Sequence, residues 1–98
     1  MRLEKRILDK IKFAVKNSFG DVNIYLFGSR VDDNKKGGDI DIAIDSDLSR
    51  TEFRRHKAKT IANLIHQNFE LKVDIINYNT KDPLLHSQIR NNSLLLNF

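Results

Sequence analysis

The feature that most constrains this chain is the segment 39–45, which reads Asp-Ile-Asp-Ile-Ala-Ile-Asp. Such alternation is typical of a β-strand, because successive side chains in a strand point to opposite faces of the sheet. The isoleucines therefore define a core face, whereas Asp39 and Asp41 share the other face. Neighbouring carboxylates on one face repel each other, so a sequence retains the pair where a cation, a metal or a proton lies between them. Mg²⁺ suits this position, since it is usually held by one or two carboxylates together with substrate phosphates.

A second constraint lies just upstream of this strand. Residues 26–30 read Leu-Phe-Gly-Ser-Arg and close a β-branched, aromatic run that predicts a strand over residues 22–27. Glycine lets the backbone approach a phosphate closely, and free N–H groups with a serine hydroxyl can donate hydrogen bonds to its oxygens. Gly28 and Ser29 are therefore candidate phosphate ligands. Arg30 is a further candidate, with a surface salt bridge as its alternative role.

The rest of the chain predicts helices around a small sheet. Apolar spacings of three and four indicate long helices over residues 2–17 and 49–69, a last helix that starts at Pro83 and carries Leu94 and Leu95, and a short helix near residue 29. A third strand is predicted over residues 71–77. Gly20 is expected to end the first helix, and Asp82 to cap the last one. This order predicts a single α/β (mixed α+β) domain over residues 1–98, with a small mixed sheet flanked by helices.

Asp74 is the fourth residue of the predicted third strand. The long helix between strands two and three favours a parallel pair joined by a right-handed crossover. In near-equal register, Asp74 would then lie close to Asp39 and Asp41. Three carboxylates beside a phosphate-binding turn are what two-metal phosphoryl chemistry needs. The alternative for Asp74 is an exposed ion pair with Lys72, which would contribute only ~0–1 kcal/mol.

Composition narrows the function classes. Lys and Arg outnumber Asp and Glu by 17 to 13, which favours anionic partners only weakly. The absence of cysteine excludes disulfides and thiolate metal sites. The charged start of the chain and the lack of a long apolar run argue against a signal peptide or a membrane span, so we expect a cytoplasmic protein.

Two surface segments allow alternative interpretations. The basic residues of segment 50–59 form either an ordinary solvated helix face or a surface for an acidic partner; direct nucleic-acid binding is disfavoured, because no aromatic residues are interleaved with the charges. The apolar tail 94–98 either marks an interface, in a homo- or hetero-oligomer, or is hidden because its helix lies flat on the sheet.

Together these motifs resemble the nucleotidyltransferase superfamily that includes DNA polymerase β. Its pattern is a hydrophobic residue, Gly-Gly or Gly-Ser, a gap of about nine to thirteen residues, and Asp-hydrophobic-Asp or Glu. Here Phe27-Gly28-Ser29 is followed by a gap of nine residues and then by Asp39-Ile40-Asp41. Asp74 matches the third carboxylate of the family. The small size and the tail resemble the minimal nucleotidyltransferases, or MNT proteins.

The resemblance implies magnesium-dependent transfer of AMP from ATP, with two metal ions. Asp39, Asp41 and Asp74 would hold the metals, and Asp74 would also help to deprotonate the acceptor hydroxyl. Gly28 and Ser29, with Arg30 beside them, would hold the triphosphate. Relatives of this kind are often paired with a small helical HEPN protein as antitoxin and toxin, so the resemblance implies a protein acceptor.

The chain departs from the family pattern in two places. Gly38 stands where relatives usually have serine, and Asp32-Asp33 places two negative charges near the expected triphosphate. Both departures favour the alternative that the chain is a non-catalytic antitoxin or interaction module that neutralises a partner by binding. A third alternative, transfer to RNA or to a small molecule such as an antibiotic, is disfavoured because we expect no second domain that could hold such an acceptor.

Overall fold

The structure is a computed structural model that describes residues 5–27, 39–69, 71–79, 82–91 and 93–96, including all of their side chains except those of Asp39, Leu85, Gln88, Arg90 and Asn91. In chain order, its helices and strands are α1 (Lys5–Phe19), β1 (Ile24–Phe27), β2 (Asp39–Ile44), α2 (Arg50–His66), β3 (Lys72–Asn77), α3 (Pro83–Asn91) and β4 (Leu94–Leu95). No helix in these ranges is both long and apolar enough to cross a membrane.

The strands form one mixed sheet in the order β3-β2-β1-β4. β2 and β3 are parallel, as the long helix between them predicts, and β1 is antiparallel to both β2 and β4. The predicted fold class, a small mixed sheet flanked by helices, is therefore confirmed.

One face of the sheet carries the hydrophobic core. Ile40, Ile42 and Ile44 of β2 are all fully buried there, as the alternation predicts. The antiparallel pair α1 and α2 belongs to the same core cluster. At one end of that pair the rings of Phe19 and Phe53 lie 5.2 Å apart, and at the other end Gln67 Nε2 donates to the carbonyl of Lys10 at 3.1 Å. Two helices thus cover this face along its length.

Within the described residues, other parts of the chain cover only one end of the second face of the sheet. Tyr25 of β1 stacks on Tyr78 with ring centroids 4.4 Å apart, and Tyr78 meets His86 of α3 edge-on at 6.0 Å. Ala43, the β2 partner of Tyr25, is fully buried beneath this aromatic cluster. The other end of the same face carries the aspartates.

Local signals set the helix boundaries. Gly20 follows α1 with a φ of +84°, the left-handed conformation of a helix C-cap, and donates to the Lys16 carbonyl at 3.0 Å. The backbone N–H of Glu52 donates to the Ser49 hydroxyl at 3.2 Å, and that of Leu84 donates to the Asp82 carboxylate at 3.1 Å. The predicted caps Gly20 and Asp82 are confirmed, and Ser49 caps α2 in the same way. The short helix predicted near residue 29 falls outside the described residues.

The prediction that the last helix continues through Leu94 and Leu95 is wrong. α3 ends at Asn91, and those two leucines form β4 against Leu26 and Tyr25. Pairing with an otherwise open strand edge satisfies backbone groups that a further helical turn would have satisfied internally, and tertiary context decides between the two. Both leucines stay partly exposed, whereas Leu96 is fully buried.

Candidate active site

Three strand ends meet at the edge of the sheet where the motif residues lie. β2 and β3 both begin at this edge, and the antiparallel strand β1 ends there, with Phe27 opposite Asp41. Phe27, the last described residue before the predicted phosphate-binding motif, therefore lies beside the predicted metal ligand Asp41. We call this edge, defined by Phe27, Asp39, Asp41, Lys72 and Asp74, the carboxylate edge.

The register places two of the three predicted metal ligands side by side. Asp41 is the direct partner of Asp74 across the parallel pair, and Asp39 is the partner of Lys72. Asp41 is half-buried and Asp74 is exposed. Their side chains leave the same face of the sheet, so two carboxylates of like charge are neighbours.

The alternative role of Asp74, an ion pair with Lys72, is not what the structure shows. The Asp74 carboxylate forms no salt bridge or hydrogen bond within the described part of the chain, and neither does the Lys72 ammonium group. The repulsion between Asp41 and Asp74 is therefore not relieved by the nearest lysine. Paired carboxylates at an accessible strand end are a typical setting for a bound divalent cation.

The chemistry of these donors fits Mg²⁺, which takes carboxylate and phosphate oxygens as ligands. Among the side chains that the structure describes, no group of three or more His, Asp or Glu residues stands together as a metal cluster. Of the three predicted metal ligands, the structure describes the side chains of Asp41 and Asp74. The backbone places Asp39 at the start of β2, two residues before Asp41. Two protein carboxylates with substrate phosphates are a sufficient set for this ion.

The predicted phosphate ligands Gly28, Ser29 and Arg30 lie outside the described residues, as do Gly38 and the pair Asp32-Asp33. Their roles stay predictions that rest on the sequence.

A groove beside the carboxylate edge was not foreseen from the sequence. It has a volume of about 310 Å³ and lies between α2 and the start of β3. We call it the α2–β3 groove, and its lining consists of Lys57, Ile61, Leu64, Ile65, Phe69, Leu71, Lys72, Val73 and Asp74. The signal in the sequence was Ile65, an apolar residue that extends the buried stripe of α2 further around the helix than one core face requires.

The family model described as "Polymerase beta, Nucleotidyltransferase" matches residues 9–97. Among solved structures, one described as "Crystal structure of the toxin-antitoxin with AMP-PNP" superposes with a TM-score of 0.67 and 22% sequence identity, over 91% of this chain and 71% of the other. No curated protein matches the chain.

Proposed function

The chain belongs to the polymerase beta nucleotidyltransferase family, and we propose that it transfers AMP from ATP to a hydroxyl group of a partner protein, in an antitoxin-like role. The observation that carries this proposal is the register of Asp41 against Asp74 at the edge where β1 ends. The family accounts for the transferase fold. The carboxylate pair is the reason to assign chemistry to this member.

Each predicted residue has a defined task in this proposal. Asp39, Asp41 and Asp74 would hold two Mg²⁺ ions, whose chemistry is to neutralise the phosphates and to lower the pKa of the attacking hydroxyl. Gly28 and Ser29, through N–H and hydroxyl donors, would orient the triphosphate, and Arg30 would add a cationic contact. Binding ATP would thus bring its negative charge to a group of donors at the end of β1.

The transfer step conserves atoms and charge as follows. The acceptor hydroxyl oxygen forms a bond to the α-phosphorus of ATP, and the bond from that phosphorus to the bridging oxygen breaks on the opposite side. Pyrophosphate leaves, and the Asp74 carboxylate accepts the hydroxyl proton. Asp74 suits this role because it is exposed and borders the α2–β3 groove, from which an acceptor can reach it.

The structural neighbour supports the choice of nucleotide and of partner class. It was solved as a toxin-antitoxin assembly with AMP-PNP, an analogue of ATP. We therefore propose ATP as the nucleotide and a toxin as the partner, specifically the small helical HEPN protein that the resemblance implies. A toxin partner also agrees with the proposed location in the cytoplasm.

A second candidate function is a non-catalytic module that neutralises the same partner by binding alone. It is favoured by Gly38, which lacks the usual serine hydroxyl, and by the charges of Asp32 and Asp33. Under this alternative, the carboxylate pair would be retained from a catalytic ancestor and would bind no nucleotide.

The experiment that tests the proposal measures transfer of label from α-phosphate-labelled ATP to proteins of a native lysate. The wild type is compared with Asp39→Asn/Asp41→Asn and with a matched control, Asp9→Asn/Asp47→Asn, which removes two exposed carboxylates away from the site. We expect one labelled band with the wild type and the control, and none with the site variant or with EDTA. No label from any protein, with the same partner held by all three, would establish the binding module instead.

A further inference from the structure

The α2–β3 groove has the composition of a docking site. Its floor is apolar, from Ile61 and Leu64 of α2 to Val73 of β3. At its mouth Ile65 is 69% exposed, although its side chain is large and hydrophobic. Single exposed apolar residues are common, but one that borders a groove with an apolar floor extends a continuous surface that a partner can cover.

The charged side chains in the described lining of the same groove are two lysines and one aspartate, Asp74, so its net charge is positive. Lys57 and Lys72 line it, and neither ammonium group forms an ion pair with any residue that the structure describes. Lys57 belongs to helix α2, which is basic as a whole, with five Arg and Lys residues, Lys57 included, and a single Glu. An occupant with apolar side chains for the floor and carboxylates for the rim is therefore complementary to the groove.

The strand that borders the groove favours an extended occupant. β3 is the edge strand of the described sheet and pairs with β2 alone. An edge strand presents backbone N–H and C=O groups that can pair with an added segment, and alternate side chains of that segment then enter neighbouring pockets. A segment with alternating apolar and acidic residues would use the edge, the floor and the rim together.

Asp74 connects this groove to the carboxylate edge, because it lines the groove and pairs in register with Asp41. We propose that the α2–β3 groove binds an extended, acidic and apolar segment of the acceptor protein, and so presents the acceptor hydroxyl to the Asp74 carboxylate. The delivery of the hydroxyl rests on the proposed transferase function. The binding of the segment does not.

The test uses a variant confined to the groove and a control of matched chemistry. Lys57→Glu/Ile65→Ser reverses one rim charge and removes one exposed apolar side chain. Lys5→Glu/Phe13→Ser makes the same two kinds of change at exposed positions of α1 outside the groove, where Phe13 is 57% exposed. Neither variant touches a predicted metal or phosphate ligand. Circular dichroism and the melting temperature establish that both variants fold.

The probe is a short fluorescein-labelled peptide of alternating valine and glutamate around one tyrosine, and the comparison peptide has glutamine in place of each glutamate. Binding is measured by fluorescence anisotropy without ATP or Mg²⁺. We expect the groove variant to raise the Kd of the acidic peptide by about tenfold or more. This is the scale expected for the loss of one central apolar contact together with one charge contact. The control variant should bind within about twofold of the wild type.

Backbone amide shifts locate the peptide. We expect them to change at residues 71–74 and along the groove side of α2. No binding to the wild type, equal binding to the two variants, or shifts confined to another surface would each overturn the inference. A wild-type dimer in sedimentation that is abolished by the groove variant and excludes the peptide would also overturn it, because a second copy would then be the occupant.

The transfer assay separates this inference from the function on which it rests. Peptide binding that depends on the groove, without any transfer of label, would contradict the proposed chemistry and leave the groove assignment intact. Transfer of label to a partner at the wild-type rate by Lys57→Glu/Ile65→Ser would establish the enzyme and overturn the groove as its acceptor site.

Discussion

The aspartates at the two ends of the β2–β3 strand pair lie in different environments. At the end of the pair, Asp45 accepts a hydrogen bond of 2.7 Å from Asn79 Nδ2, which also donates to the Ser46 carbonyl at 3.0 Å. At the start of the pair, Asp74 lies opposite Asp41, and the Asp74 carboxylate forms no hydrogen bond or ion pair within the described residues.

This difference separates a structural carboxylate from a candidate functional one. The Asp45–Asn79 contact joins the loops that leave two neighbouring strands, so it holds the sheet together. The like charges of the neighbouring Asp41 and Asp74 repel each other, which opposes folding. Groups that local physics disfavours and that stand at an accessible edge are where function is to be expected.

The largest effect on stability is expected from a substitution in the middle of the β2–β3 pair, because both ends of the pair depend on its packing. Ile42 is 0% exposed and lies between Leu26 of β1 and Ile75 of β3. Ile42→Ala should lower the free energy of unfolding by about 2–5 kcal/mol, because it removes buried methyl groups and leaves a cavity. Urea denaturation measures this change, and Ile65→Ala, at an exposed position, is the control expected to stay within about 0.5 kcal/mol. Equal losses in the two variants would contradict the assignment of the core face.

The same substitution at each end of the pair tests directly whether the two ends differ in function. Asp74→Asn should reduce the rate of AMP transfer about 100-fold, the scale of losing one preorganised electrostatic contact with a transition state. Asp45→Asn changes the same residue type just after the end of β2 and should keep the rate within about twofold. Labelled ATP with the captured partner measures both rates. A comparable loss in both variants would mean that the two ends do not differ in function.

The alternation of segment 39–45 was sufficient to predict the core face, and the helix between the second and third strands was sufficient to predict their parallel pairing. Each of these two sequence patterns favours a single structure. The sequence did not predict β4, because Leu94 and Leu95 fit a helical stripe as well as a strand, and only the open edge of β1 decides between them. The α2–β3 groove was also missed, since it is formed by residues from α2 and β3 that no local pattern connects.

A smaller effect is expected at the structural end. Asn79→Ala removes both donated hydrogen bonds and should cost about 1 kcal/mol of unfolding free energy, with no change in transfer rate. Amide hydrogen exchange should report it at Tyr78, whose N–H donates to the Ile44 carbonyl at 2.8 Å beside this contact. Asn23→Ala, another exposed asparagine near the same end of β2, is the control. Unchanged protection of Tyr78 in Asn79→Ala would show that the contact is not structural.

The smallest effect has the opposite sign and falls at the carboxylate edge. Because Asp41 and Asp74 carry like charges in directly paired positions, Asp74→Asn should raise the free energy of unfolding by about 0.2–1 kcal/mol in low salt and without Mg²⁺. Salt screens exposed charges, so the gain should shrink at about 1 M NaCl, where the Debye length is about 3 Å. Thermal unfolding measures both conditions. Added Mg²⁺ should stabilise the wild type more than the variant, since an ion bound by the native carboxylates stabilises the fold. A variant that is less stable than the wild type in low salt would show that Asp74 stabilises the sheet, and the contrast between the two ends would no longer hold.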